Sequence, residues 1–303
     1  MRQRHPDPFR LVLLAAAAAV GLAMPADAGP HLDRITAEGR INIGVRIDTP
    51  PFAYVEDGQP RGFVTELCGM MAGAILTTST LEGLNAHVVT VSAEDRFDRL
   101  ISGEIDLLCG ATTVTLSRRE QMSFTLPIFA TGIGGLVSAD ASPLLREVLI
   151  TGGPAAFSAN AIREALAGKK LGVRAGTTAE DWLVRDVMRQ AEDAEIVRLD
   201  DHHEGVDRVA EGAVDVYFAD RAILAGILTD DPELERFELS EGTYTYEPYA
   251  LAIPRGDEEL RLVMDRALSH LYRSGAIFEV YERHFGPPGP DEQIFYGLNA
   301  LPE

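Results

Sequence analysis

Ile43-Gly44-Val45-Arg46 is followed, after two intervening residues, by Thr49, and Leu171-Gly172-Val173-Arg174 is followed at the same spacing by Thr177. A second echo pairs Phe97–Gly110 with Val206–Ala219, where Asp98, Arg99, Gly103 and Asp106 recur as Asp207, Arg208, Gly212 and Asp215. Each later segment reads as an amphipathic helix stopped by a left-handed glycine, with a buried strand following at once. The same units in the same order twice indicate a duplicated α/β unit, hence two similar lobes. Strand-like runs alternate with helical patterns elsewhere, which predicts largely parallel sheets. Open α/β sheets bind ligands beyond the carboxyl ends of their strands. Arg46, Arg174, Thr112, Thr113 and Asp220 all fall at such ends. Two lobes facing each other there would form a cleft, a preferred place for a small molecule.

Composition narrows the partners. The 303 residues are 46% hydrophobic and 24% charged, enough apolar material for sizeable cores. The formal net charge of -20 repels phosphate backbones and anionic lipid, so no nucleic-acid partner is expected. Two cysteines alone cannot build a zinc ribbon or an iron–sulfur site.

The N-terminus carries Arg2, Arg4 and Arg10, an apolar run from Leu11 to Ala23, and then Ala26-Asp27-Ala28. This is the pattern of a signal peptide cleaved after Ala28, with an apolar run shorter than the roughly 20 residues of a membrane span. Export to the periplasm as a soluble protein is expected. An oxidising compartment favours joining Cys68, in the helical stretch Gly62–Ala74, to Cys109, at the end of the strand-like Ile105–Cys109. Two buried free thiols are the alternative.

No G-x-x-x-x-G-K-[ST], H-E-x-x-H or G-x-S-x-G pattern is present. Gly132-Ile133-Gly134-Gly135 reads as a flexible segment, and Asp200-Asp201-His202-His203-Glu204 as a solvated loop. Gly176-Thr177-Thr178-Ala179-Glu180 lies between a strand and a helix, so its threonines suit either a plain N-cap or an anion. Arg118, five residues after Thr113, can hold a carboxylate with two parallel bonds; a surface arginine is the alternative.

These segments together resemble the extracytoplasmic amino-acid-binding proteins of bacterial ABC transporters, most closely the glutamate/aspartate-binding branch. The likeness runs from about Leu32 to Phe285 through Gly44-Val45-Arg46, Pro51-Phe52, Ile105–Thr113 with Arg118, Ala175–Thr178, Asp201-His202 and Asp220–Gly226. It implies the two-lobed α/β periplasmic-binding-protein fold (type II), with lobes joined by two crossing strands. Lobe 1 would span 31–130 plus 248–303, and lobe 2 would span 131–247. Arg118, Thr113 and Thr177, with Thr178 beside it, would hold the ligand α-carboxylate. Asp220 and the Ala111 carbonyl would take the ammonium. Arg46, Arg96 and His202 would face a distal carboxylate.

Departures are Ala93 and Ala111 where the branch often has serine, and Arg174 where a neutral residue is common. Arg174 either adds a third guanidinium to the distal pocket or turns outward. Implied partners are an acidic L-amino acid and an ABC transporter permease with its ATPase, with no cofactor and a monomeric chain. The rivals are a dehydratase-like periplasmic enzyme on the same scaffold, using His202 and Asp220, and a ligand-sensing receptor for a membrane sensor. The proline-rich tail after Phe285 is expected to be extended.

Overall fold

The computed structural model describes residues 29–78, 83–151, 159–191, 193–229 and 233–302. The expected signal peptide, 1–28, lies outside the described residues. The strands are β1 (Arg40–Arg46), β2 (Asp48–Thr49), β3 (Ala53–Glu56), β4 (Gln59–Arg61), β5 (Asn85–Val91), β6 (Leu107–Cys109), β7 (Met122–Thr131), β8 (Ile133–Ser138), β9 (Lys170–Arg174), β10 (Glu195–Leu199), β11 (Val216–Asp220), β12 (Phe237–Leu239) and β13 (Glu247–Pro254). One lobe is built on the sheet β5-β1-β6-β13-β7 and the other on β10-β9-β11-β8-β12, with β2-β3-β4 as a small antiparallel sheet. In the first sheet β1 runs parallel to β5 and β6, while β13 runs antiparallel to β6 and β7. In the second, β9 is parallel to β10 and β11, and β8 is antiparallel to β11 and β12.

The two echoes occupy matching places in the two sheets. β1 and β9 are each second in order, flanked by β6 and β11, the strands of the second echo. Helices Arg96–Ile101 and His202–Ala210 are followed by Gly103 and Gly212 at φ 76° and 69°, the left-handed conformation that stops each helix. The repeated aspartate has a repeated task. Asp106 accepts from the Asn42 N–H in β1 and Asp215 from the Lys170 N–H in β9, both at 2.8 Å. Each thereby pins the neighbouring strand whose far end carries Arg46 or Arg174.

β1 is buried along most of its length because apolar clusters cover both faces of its sheet. Cys68, in helix Phe63–Thr78, is bonded to Cys109 at the end of β6, with Cα atoms 6.3 Å apart. The bond ties the covering helix to a strand that leads into the cleft.

The lobes are joined where β7 passes through Gly132 into β8, and where residues 240–246 return from β12 to β13. Glu247 pairs with Thr131 in this crossing. The glycine-rich stretch is a buried strand rather than the expected flexible segment. Its glycines serve close packing: a Cβ on Gly132 would overlap the Thr245 carbonyl oxygen of the other crossing segment. Beneath the crossing, Phe52, Phe129, Tyr249 and Phe285 pack with ring centroids 4.9–6.2 Å apart.

The tail also differs from expectation. Pro290–Asn299 is a helix, with Pro290 in its first turn and Glu292 Oε2 accepting from Gly289 N–H at 2.9 Å. Proline starts a helix as readily as it stops one, because the first-turn N–H has no helical partner. Tyr296 is buried and donates to the Ile128 carbonyl at 3.1 Å, docking this helix on β7.

Candidate functional site

Arg46, Thr49, Arg96, Ala111, Thr113, Arg118, Thr177, Thr178, His202, Asp220 and Ile223 line one narrow space between the lobes. Nine of the ten residues nominated from sequence are therefore in one place; Arg174 is beside it. Arg46 ends β1 in one sheet, and Arg174 and Asp220 end the parallel strands β9 and β11 in the other, so strand ends of both sheets deliver them to the space between the lobes. Arg46 lies flat against a backbone without a side chain: a Cβ on Gly110 would meet Arg46 Cγ at 2.5 Å.

Arg174 neither enters the cleft freely nor turns outward. It is 3% exposed and forms an ion pair with Asp48 Oδ2, while Arg46 donates Nε–H to Asp48 Oδ1 at 2.8 Å. Burial would raise the Asp48 pKa, but the charges and hydrogen bonds of Arg46 and then Arg174 outweigh it and hold the carboxyl at about 2. Asp48 is ionised throughout the neutral range. It belongs to one lobe and Arg174 to the other.

Arg96 is 3% exposed and donates to the Gly176 carbonyl at 3.2 Å; its Nε and Nη1 have no hydrogen-bond partner. Burial, then the charges of Arg46, Arg118 and Arg174, lowers its pKa. Arg118 donates to the Thr113 carbonyl at 2.8 Å. Arg96 and Arg118 both lie over the Phe97 ring, 4.1 and 4.9 Å from its centroid. In the same cleft, Asp220 presents a buried Oδ1, and burial followed by the Glu247 charge pushes its pKa up to about 8. Unpartnered guanidinium N–H groups of Arg96 and an unpartnered carboxyl oxygen of Asp220 thus line the same cleft.

His202 is not the cation its position suggested. Its Nδ1 sits 2.9 Å from the Tyr217 hydroxyl, and burial, then the Arg174 and Arg46 charges, lowers its pKa to about 3. A neutral imidazole remains, able to donate or accept one bond. The segment around it is a helix start rather than a solvated loop: Asp201 caps His202–Ala210 by accepting from the Glu204 N–H at 2.7 Å. Among the described residues, no group of three His, Cys, Asp or Glu side chains could hold a metal ion.

Thr177 does cap Thr178–Trp182, accepting from Glu180 N–H, and its own hydroxyl donates to the Arg174 carbonyl at 2.8 Å. Thr113 and Thr178 donate from opposite lobes to the same oxygen, Glu247 Oε2, at 2.7 and 2.6 Å. The buried Glu247 therefore joins both lobes to the crossing strand. Ser92 does not replace the serine absent at Ala93, because its hydroxyl donates to Asp95 at 3.1 Å.

Sequence reasoning missed Asp48, Thr49, Phe97, Ile223 and Glu247. The available signals were slight: Asp48 is two residues beyond a nominated arginine, and Glu247 is a lone acid opening the apolar run Tyr249–Ile253.

The sequence profile described as bacterial extracellular solute-binding proteins, family 3, matches residues 41–287. The chain is 25% identical to the L-glutamate/L-aspartate-binding protein of Pseudomonas aeruginosa over 270 residues, covering 88% of this chain and 82% of that one. It is 25% identical to the glutamate/aspartate import solute-binding protein of Escherichia coli over 287 residues, with 93% and 89% covered. Proteins named for glutamine and cystine binding also match, at 23% and 22%. Among solved structures, a mutant of the arginine-binding protein of T. maritima superposes with a TM-score of 0.69 at 23% identity, covering 84% of this chain and 99% of that one. That likeness establishes the two-lobed fold of periplasmic amino-acid-binding proteins. With its cleft residues gathered at strand ends between two α/β lobes, the chain belongs to the bacterial extracellular solute-binding proteins, family 3.

Proposed function

We propose that this protein captures an acidic L-amino acid, glutamate or aspartate, in the periplasm and delivers it to a membrane permease powered by a separate ATPase. The carrying observation is a charge imbalance. Four guanidiniums lie in or beside the cleft, from Arg46, Arg96, Arg118 and Arg174, and three carboxylates answer them from Asp48, Glu247 and, once a ligand ammonium ionises it, Asp220. Glu94 and Asp181 approach only from the exposed rim. Uncompensated charge is costly in a closed, dry site. A ligand carrying net charge of minus one restores balance, which is the charge of an acidic amino acid and not of glutamine. Its α-carboxylate would meet Arg118 and its ammonium Asp220, leaving the distal carboxylate to Arg96 and the neutral His202. The names of the P. aeruginosa and E. coli relatives support the same ligand class.

Calorimetric titration of ligand-stripped protein tests this directly. Glutamate or aspartate should bind at least a hundredfold tighter than glutamine, arginine or cystine. Preference for any of those three would refute the acidic reading. Asp220 adds a pH signature. At pH 7, below its raised pKa of about 8, the unliganded carboxyl holds its proton, and the arriving ammonium favours the ionised form. Binding should release close to one proton at pH 7 and almost none at pH 9, read as the dependence of binding heat on buffer ionisation enthalpy. Equal release at both values would show that Asp220 does not meet the ammonium.

A further inference from the structure

Asp48 draws the two guanidiniums nearest the strand ends onto itself, and it does so across the lobe boundary. Arg46 approaches Oδ1 through both Nε and Nη2 at 2.8 Å, and Arg174 pairs with Oδ2. Both arginines are almost wholly buried, and the Asp48 side chain is only 20% exposed. Arg46 lines the cleft while Arg174 is held back from it. The position therefore subtracts one positive charge from a pocket that would otherwise hold two in excess.

From this we infer that Asp48 is a specificity-determining residue that sets how much negative charge the bound side chain carries. The inference rests on the reading of the site as one for an acidic amino acid. With Asp48 in place, the pocket has one cation more than its anions and suits a monoanionic side chain. Without the Asp48 charge, two guanidiniums from opposite lobes become available to one group, and the geometry fits a dianion. A phosphate monoester presents such a group, with a charge of about -1.5 to -2 at pH 7 and oxygens that arginine pairs well. The same rule works in reverse. Removing the Arg174 charge while keeping Asp48 balances the pocket by itself and favours a neutral side chain.

The test titrates wild type, Asp48→Asn and Arg174→Gln with L-glutamate, L-aspartate, L-glutamine and O-phospho-L-serine, after circular dichroism shows that each is folded. Wild type should prefer glutamate or aspartate over O-phosphoserine by at least a hundredfold. Asp48→Asn should bind O-phosphoserine at least tenfold tighter than wild type does, narrowing or reversing that preference. Arg174→Gln should shift the glutamate-to-glutamine ratio at least tenfold toward glutamine. Equal weakening of all ligands in both variants would overturn the inference, because it would make the triad a clip between lobes with no part in selection. Unchanged preferences in both would overturn it as well. A wild type that binds neither glutamate nor aspartate brings down the underlying reading, and this inference with it.

Discussion

Asp220→Asn should lose two to three orders of magnitude in affinity for every amino acid the protein binds, whatever the side chain. In the proposed complex Asp220 is the formal counter-charge of the ligand ammonium, and its Oδ1 has no other hydrogen-bond partner. Removing one member of a buried charge pair costs about 3–5 kcal/mol, and each 1.4 kcal/mol is tenfold in affinity. The asparagine side chain has nearly the same shape, so packing against Tyr249 and Ile223 should survive. Calorimetry on the folded variant reads the loss, and the proton released by wild type at pH 7 should vanish with it. A variant within tenfold of wild type would remove Asp220 from the site and leave the buried oxygen unexplained.

The second large effect concerns stability. Breaking the Cys68–Cys109 bond by the double substitution to alanine should lower stability by about 4 kcal/mol, the chain-entropy value for a loop closing 41 residues. At about 2.1 cal/mol/K of unfolding entropy per residue, that corresponds to roughly 6 °C in Tm for a chain of 303 residues. Both sulfurs are buried, so part of the loss comes from packing, and reduction of wild type under mild denaturant separates the two contributions. Ligand affinity should change little, because neither cysteine lines the cleft. A drop below about 1 kcal/mol would mean that the helix Phe63–Thr78 holds its strand by apolar contact alone.

The fold was legible because its signals are local. Gly103 and Gly212 stop helices through their own backbone conformation, and Asp106 and Asp215 recur because each pins a neighbouring strand in the same way. The nominated cleft residues were legible for a related reason: strand ends place side chains on one side of a sheet whatever the rest of the chain does. Pairing across the lobes was not legible. That Arg174 meets Asp48, and that Thr113 and Thr178 share Glu247, depends on how two separately folded sheets face each other. No local pattern records that relation. The neutrality of His202 was hidden for the same reason, since its burial and the nearby guanidiniums come from distant segments. The tail departs from its expected extended form because proline's missing N–H costs nothing in the first turn of a helix, where Pro290 sits.

The Phe97 ring couples two cations that would otherwise only repel. Arg96 and Arg118 lie over the same ring, 4.1 and 4.9 Å from its centroid, and its electron-rich face offsets part of the repulsion between them. A single uncharged side chain therefore supports half of the arginines gathered around the cleft, and anything that displaces it reaches both at once.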